Sequence, residues 1–266
     1  MVGYHGPCNI SVKEGSMQHF YIDRGIVPGE QIELSGEDHN HIKNVLRMKR
    51  GEKVVINDSE KISHICALAG FGEGCSYFDA LESFPCKTEL GTEIVLYQGV
   101  PKKDKMDLII EKAVELGVSR IVPVMTKRVI VKIEDDKKEA KKLERWNAIA
   151  KSAAMQSGRG IVPRVDCVKS FKEAVSEASA LERMLIPDEE SETLGVSMKS
   201  SREAIAGLKG LKSIGIFIGP EGGFEAAEVE EAMKAGAVPI SLGKRILRTE
   251  TAGLTALSVI MFSTEE

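Results

Sequence analysis

The 266-residue chain contains no apolar run near the roughly 18 residues of a membrane-spanning helix. Its first sixteen residues also lack the apolar stretch of a secretory signal. A soluble, cytoplasmic protein is the expectation. The five cysteines (Cys8, Cys66, Cys75, Cys86 and Cys167) are odd in number, form no C-x-x-C pair and have no histidine nearby at metal-ligand spacing. That pattern argues against a disulfide framework or a zinc site and reads as reduced thiols filling core space, with no metal expected. The five histidines (His5, His19, His39, His41 and His64) all fall in the N-terminal quarter, and neither a G-x-S-x-G elbow nor an H-E-x-x-H helix occurs. Hydrolytic and zinc chemistry therefore lose their usual parts. No glycine-rich loop ends in Gly-Lys-Ser/Thr, which removes triphosphate chemistry.

The chain is otherwise ordinary globular material, 42% hydrophobic and 29% charged, long enough for one large domain or two smaller ones. Net charge is −4, yet residues 120–170 carry a basic surplus of 7 and residues 171–240 an acidic surplus of 6. A protein with one basic and one acidic face can bind a polyanion locally. The basic stretch KKEAKKLERW also reads as no more than the solvated face of a helix.

The pattern changes near residue 90. From Gln18 to Phe84, short apolar or alternating runs (FYID, QIEL, KVVIND, HICALA, YFDALESF) predict a small β-rich domain, interrupted by one helical insert, EDHNHIKNVLRMKRG. PCKTELGT at 85–92 reads as a linker. Beyond it, strands alternate with amphipathic helices: EIVLYQGV, KMDLIIEKAVELGV, RIVPVM, a long helix to SAAMQSG, ERMLIPD, SREAIAGL, IGIFIG, AAEVEEAMKAG, VPISLG and TAGLTALSVIMF. This is an α/β signature. GFGEG at 70–74 has Rossmann-like spacing, but a strand follows it instead of a helix, so it predicts a hairpin turn. Trp146 is expected to pack on the long helix's apolar face, and Lys112 and Glu115 to be helix-surface or interface charges.

Two loops remain. Gly219, Gly222 and Gly223 remove side chains where a strand ends, which permits close backbone approach and positive φ, and Pro220 stiffens the turn. The second loop, Leu242-Gly243 to Arg248, also lies between strand and helix, so both can sit at the carboxyl edge of one sheet and enclose a flat, partly apolar ligand. Spacing alone leaves plain tight turns equally open.

IGPEGGF followed by LGKRILRTETA resembles the signature of the SPOUT methyltransferases, and specifically of the ribosomal RNA small subunit methyltransferase E family, which methylates N3 of a 16S rRNA uridine. HIKNVLRMKRG, GVPKKDKMDLIIEKAVELGV, KRVIVK and WNAIAKSAAMQSGRGIVP extend the resemblance from about Met17 to the C-terminus. It implies a PUA-like β-barrel over residues 17–86, with Arg24, Arg47 and Lys49 facing RNA, and an α/β trefoil-knot domain over 87–266. It implies S-adenosylmethionine held by Ile218, Gly219, Pro220, Glu221, Gly222 and Gly223, by Leu242, Gly243, Ile246, Leu247 and Arg248, and by the strand end at Ile186 and Pro187. It further implies a homodimer acting on 16S rRNA in the assembled small subunit. Glu225 departs from the Ser or Thr that often caps the next helix in this family; glutamate is a poorer cap that suits the helix dipole.

Uridine N3 is a poor nucleophile until its proton leaves, so cations near the uracil oxygens are needed. Arg248 fits that role, and Glu250 is the nearest acceptor for the proton, or merely a helix N-terminal carboxylate. Lys102, Lys105, Arg128, Gln156 and Arg159 are candidates for RNA contacts. A related enzyme that methylates a ribose 2′-hydroxyl or another RNA, and a catalytically silent RNA binder, stay open at this point. Residues 1–16 fit neither domain and read as a tag or a disordered extension, with the natural start at Met17. Their deletion is expected to leave the melting temperature and methyl transfer unchanged; loss of either would show that they belong to the fold.

Overall fold

The computed structural model describes residues 17–27, 29–129, 136–188 and 195–265. Residues 1–16 and the end of KRVIVK lie outside them. The chain divides into two compact units between Cys86 and Lys87.

The first unit is a five-stranded sheet in the order β1-β3-β4-β5-β2, built from β1 (His19–Tyr21), β2 (Gln31–Ser35), β3 (Lys53–Asn57), β4 (Ile62–Phe71) and β5 (Cys75–Pro85). Among the described residues β1 and β2 remain edges, so the sheet is a half-barrel where the sequence suggested a closed one. The β1–β3 pair is parallel and the others antiparallel. GFGEG forms the β4–β5 hairpin, with the Gly72 N–H donating to the Cys75 carbonyl and Gly74 at φ +74°. Alternation in β2 (Ile32 and Leu34 in; Gln31, Glu33 and Ser35 out) places one face on a core that includes Phe20 and Phe78. The insert begins as a short helix α1 (Gly36–Asn40), continues as a π-helical turn (His41–Val45) and ends with Arg47 in the left-handed region at φ 52°.

The second unit is a seven-stranded sheet whose main path is β12-β10-β11-β6-β7-β8, with β9 beside β7 and every adjacent pair parallel. Its strands are β6 (Glu93–Gly99), β7 (Arg120–Met125), β8 (Arg164–Val165), β9 (Lys169–Ser170), β10 (Arg183–Pro187), β11 (Ser213–Ile218) and β12 (Ala237–Ile240). The helices are α2 (Lys105–Glu115), α3 (Asp136–Ser157), α4 (Phe171–Ala178), α5 (Met198–Ala206), α6 (Ala226–Lys234) and α7 (Thr249–Thr264). Central strands covered on both faces read as continuous apolar runs, as EIVLY and IGIFI do. Tyr97 stacks on Phe217 with centroids 4.5 Å apart, and Phe171 bridges Phe217 to Phe224. Phe224 thereby anchors the loop after β11 in the core. Trp146 is buried on α3. Lys112 pairs with Glu111 and Glu115 on the surface of α2. β8, β9 and α4 have no counterpart in the strands and helices expected from the sequence. Two-residue strands show no periodicity, but α4 carried a legible signal: the capping box Ser170-x-x-Glu173.

The stretch expected to be a plain linker is pinned into the second unit, and this corrects one site residue. Arg159 is 3% exposed. Its guanidinium donates to both carboxylate oxygens of Glu89 (2.9 and 2.6 Å) and to the carbonyls of Val114 (2.7 Å) and Val118 (3.1 Å). The Gly160 N–H adds a further bond to Glu89 at 2.8 Å. A buried fork spent on these acceptors has nothing left for RNA, so Arg159 ties the linker to the ends of α2 and α3 instead. Arg159→Ala strands a buried carboxylate and should cost about 3–5 kcal/mol in a denaturant titration; a loss below about 1 kcal/mol would show that the pair is dispensable.

Candidate functional site

β10, β11 and β6 lie side by side, and their carboxyl ends (Pro187, Ile218 and Gly99) form one edge of the sheet. Chain reversals there must pass very close to one another. A Cβ placed on Gly99 would lie 2.6 Å from the Pro220 ring and 2.7 Å from the Pro220 nitrogen, so only glycine admits the loop after β11. A Cβ on Gly219 would sit 3.0 Å from the Gly223 backbone. Gly223 itself has φ +67°, and its N–H closes a turn on the Pro220 carbonyl at 2.9 Å.

The loop before α7 is fixed to this turn by a buried relay. Thr249 Oγ1 donates to the Gly219 carbonyl at 2.6 Å and accepts from Gln98 Nε2 at 3.0 Å, while Gln98 Nε2 also reaches the Gly99 carbonyl. Gln98 is fully buried on β6, so one side chain holds both loops. Between them lies a cavity of about 240 Å³. Ile218, Gly219, Pro220, Glu221, Gly222 and Gly223 line it from one loop, Leu242, Gly243, Arg245 and Leu247 from the other, and Pro187 and Asp188 from the end of β10. Phe224 and Val229 add apolar wall. Ile186 is fully buried behind Pro187, Ile246 is 83% exposed and Arg248 is exposed; none of the three lines the cavity.

Arg248 is the N-cap residue of α7, with its carbonyl accepting from the Ala252 N–H at 2.8 Å. Its side chain is exposed and makes no ion pair among the described residues. Glu250 follows two residues later in the first turn of α7, with Oε2 3.2 Å from Lys105 Nζ. The contact is an ion pair without the alignment of a hydrogen bond. Lys105 also meets Glu221 at 3.1 Å, and Glu221 accepts from the Lys102 N–H at 3.1 and 3.3 Å. Lys105 thus ties the glycine turn to α7, and Glu250 has the geometry of an anchor.

Burial alone would raise the Glu221 carboxyl; hydrogen bonds from its own N–H, Lys105 and Lys102 outweigh this and hold it below the usual range. For Lys105, burial opposes the charge, but Glu221 and Glu250 prevail and raise the ammonium above its usual value.

Glu225 is the N-cap residue of α6, and its N–H donates to the carboxylate of Glu228 at 2.9 Å. Glu228 is buried and its other oxygen accepts from the Lys127 N–H at 2.9 Å. The third residue of the helix thus supplies the carboxylate half of a capping box, holding the N–H of the N-cap residue.

Of the residues expected to meet RNA, Lys102 and Arg128 come together at a second cavity beside the first. Gln156 is exposed near the end of α3 and lines neither cavity. In the first unit Arg47 and Lys49 are exposed, and Arg24 pairs with Glu30 at 2.6 Å. Gln98, Gly99, Lys127, Asp188 and Thr249 were not anticipated. Gln98-Gly99 did carry a signal, a polar residue and a glycine closing an otherwise apolar strand.

Because the Glu221 carboxyl is held low, its contribution is fully present above the ordinary carboxylate range near pH ~4.3 and is lost as pH falls through its lower folded value. The Lys102 amide resonance should report that transition. Glu221→Gln should abolish the acid-dependent step, and an unchanged titration in that variant would assign the step to another group.

A family model described as an RNA methyltransferase domain matches residues 88–261, and one described as an RNA methyltransferase PUA domain matches residues 34–70. The chain is 36% identical over 252 residues to ribosomal RNA small subunit methyltransferase E of Bacillus subtilis (strain 168), covering 94% of this chain and 98% of that one. It is 31% identical over 219 residues to the protein of the same name from Mesomycoplasma hyopneumoniae (strain 232), covering 82% and 88%. Among solved structures, ribosomal RNA small subunit methyltransferase E from Neisseria gonorrhoeae bound to S-adenosyl methionine superposes with a TM-score of 0.81 at 31% identity, covering 92% of this chain and 97% of that one. A glycine-walled cavity at the carboxyl edge of a parallel sheet, a half-barrel unit before it and these likenesses lead to one conclusion: the chain belongs to the ribosomal RNA small subunit methyltransferase E family.

Proposed function

We propose that this protein transfers a methyl group from S-adenosylmethionine to N3 of a uridine in 16S rRNA. The observation that carries the reading is the cavity between residues 218–224 and 242–247, with the exposed Arg248 at the start of the adjoining helix. The cavity fits the cofactor's mixed character. Gly219 and Gly223 put no side chain in the way of a planar base, and Ile218, Leu242, Leu247 and Phe224 supply apolar wall. A Cβ on Gly223 would meet nothing within 4 Å, so the space beside that backbone is free. When bound, S-adenosylmethionine supplies an electrophilic methyl group on its sulfonium. The protein's own residues must then position uracil N3 in line with that methyl and stabilise the charge left on the uracil oxygens as the N3 proton departs. Arg248 meets the second need, being exposed, uncommitted and fixed at the backbone. Glu250 is committed to Lys105, so in this reading it steadies α7 and the N3 proton passes to solvent water.

The same reading includes a trefoil knot. Its support is that the chain pairs β12 at one edge of the sheet and then returns to pack α7 against α2 and β11. Phe262 (84% exposed) and Val259 (40%) on α7, with Ile246 on the cofactor loop, favour a homodimer that covers them. Exposed Arg47 and Lys49 support an RNA-recruiting role for the first unit, with 16S rRNA in the assembled small subunit as the substrate of this reading.

Small subunits from a strain lacking this activity, incubated with labelled S-adenosylmethionine, should yield 3-methyluridine on nucleoside analysis. A methylated ribose or another base would move the protein to a different reaction. Arg248→Ala should lower transfer by about 10² or more while cofactor affinity stays within about threefold; a parallel fall in cofactor affinity would make Arg248 a structural part of the loop.

A further inference from the structure

We infer that a second cavity, beside the one proposed for the cofactor, receives the ribose-phosphate backbone of the nucleotide being methylated; the inference rests on the RNA methyltransferase reading above. This cavity, of about 460 Å³, is lined by Lys102, Lys127, Arg128, Val129, Glu221 and Gly222. Arg128, Glu221 and Gly222 line both cavities, so they form a shared wall. A molecule that occupies one and reaches into the other presents different chemistry on the two sides of that wall.

The second side is cationic. Its one carboxylate, Glu221, is already neutralised by Lys105 at 3.1 Å and by the Lys102 N–H. Lys105 therefore has a second consequence: without it, Glu221 would repel an anion at the shared wall. Lys102 and Lys127 are built alike. Each main-chain N–H is held by a carboxylate, Glu221 for Lys102 and the buried Glu228 for Lys127, while neither ammonium group has an ion pair or hydrogen bond among the described residues. Arg128 spends one nitrogen on the Gly222 carbonyl at 2.7 Å and keeps its other donors. Two tethered lysines and an arginine lining one cavity without a free counter-charge among the described residues repel one another until an anion arrives.

The anion that suits both sides is a phosphate on a strand whose base can be turned out of its stack. The backbone would rest on the three cations and the base would reach across Gly222 toward the cofactor. Phosphate contacts of this kind set register and carry no sequence information, so the site positions the nucleotide and leaves the choice of uridine to other contacts.

The test replaces side chains only, which leaves both tethered N–H groups in place. In Lys102→Gln/Lys127→Gln, cofactor affinity measured by calorimetry should match the unsubstituted protein. KM for small subunits should rise roughly tenfold, and the slope of log kcat/KM against log salt should fall by about 1.4, from ~0.7 per single-strand phosphate contact. Lys102→Arg/Lys127→Arg should retain the original slope. Unchanged KM and slope in the glutamine variant would overturn the inference, as would a fall in cofactor affinity, which would place the lysines in the loop's own structure. Anisotropy with a fluorescent single-stranded RNA oligonucleotide separates this outcome from failure of the parent reading. Oligonucleotide binding that weakens in the glutamine variant, in a protein that forms no 3-methyluridine, would keep the phosphate site and discard the assigned reaction.

Discussion

The contact between Pro220 and Gly99 governs the carboxyl edge of the sheet. No side chain fits at residue 99, because its first carbon would lie 2.6 Å from the proline ring. The loop after β11 can therefore settle directly on the end of β6, and its carbonyl at Gly219 comes within reach of Thr249. Gln98, one residue earlier on the same strand, completes the link. The two loops that enclose the cavity are positioned by one strand end, and disturbing it would shift both together. Buried polar groups this well connected specify a single arrangement, since any alternative leaves a donor or acceptor without a partner.

Charge is distributed on the same frame. Lys105 neutralises Glu221 at the wall between the cavities and holds Glu250 at the start of α7. Glu228 caps α6 and fixes the backbone beneath Lys127. These carboxylates are thus used up in structural bonds, while Lys102, Lys127 and Arg248 have no ion pair among the described residues. A net charge of −4 says nothing of this local surplus, since the acidic residues lie elsewhere or are already paired.

Much of this was legible from residue order. Apolar runs such as EIVLY and IGIFI show strands buried on both faces, and glycines at 219, 222 and 223 show where the backbone must approach closely. The resemblance of IGPEGGF and LGKRILRTETA to a methyltransferase signature identified the loops that line the cavity. Arg159 shows where such reading stops. A cation in the small-residue run SAAMQSGRG looks available for RNA, yet the fold buries it against Glu89, seventy residues earlier. Lys105 and Lys102 are near neighbours of similar appearance, but only the folded chain commits one to Glu221 and Glu250 and leaves the other's ammonium free.

Local order determined the two-part organisation, the alternation of strands and helices and the glycine turns, because hydrophobic periodicity and positive-φ requirements act within a few residues. Tertiary structure alone decided that the first sheet stays a half-barrel, which polar residues are consumed by internal bonds and which cations share a cavity. Those outcomes depend on distances between segments far apart in sequence, and a charged side chain shows its partner only once the chain has brought the two together.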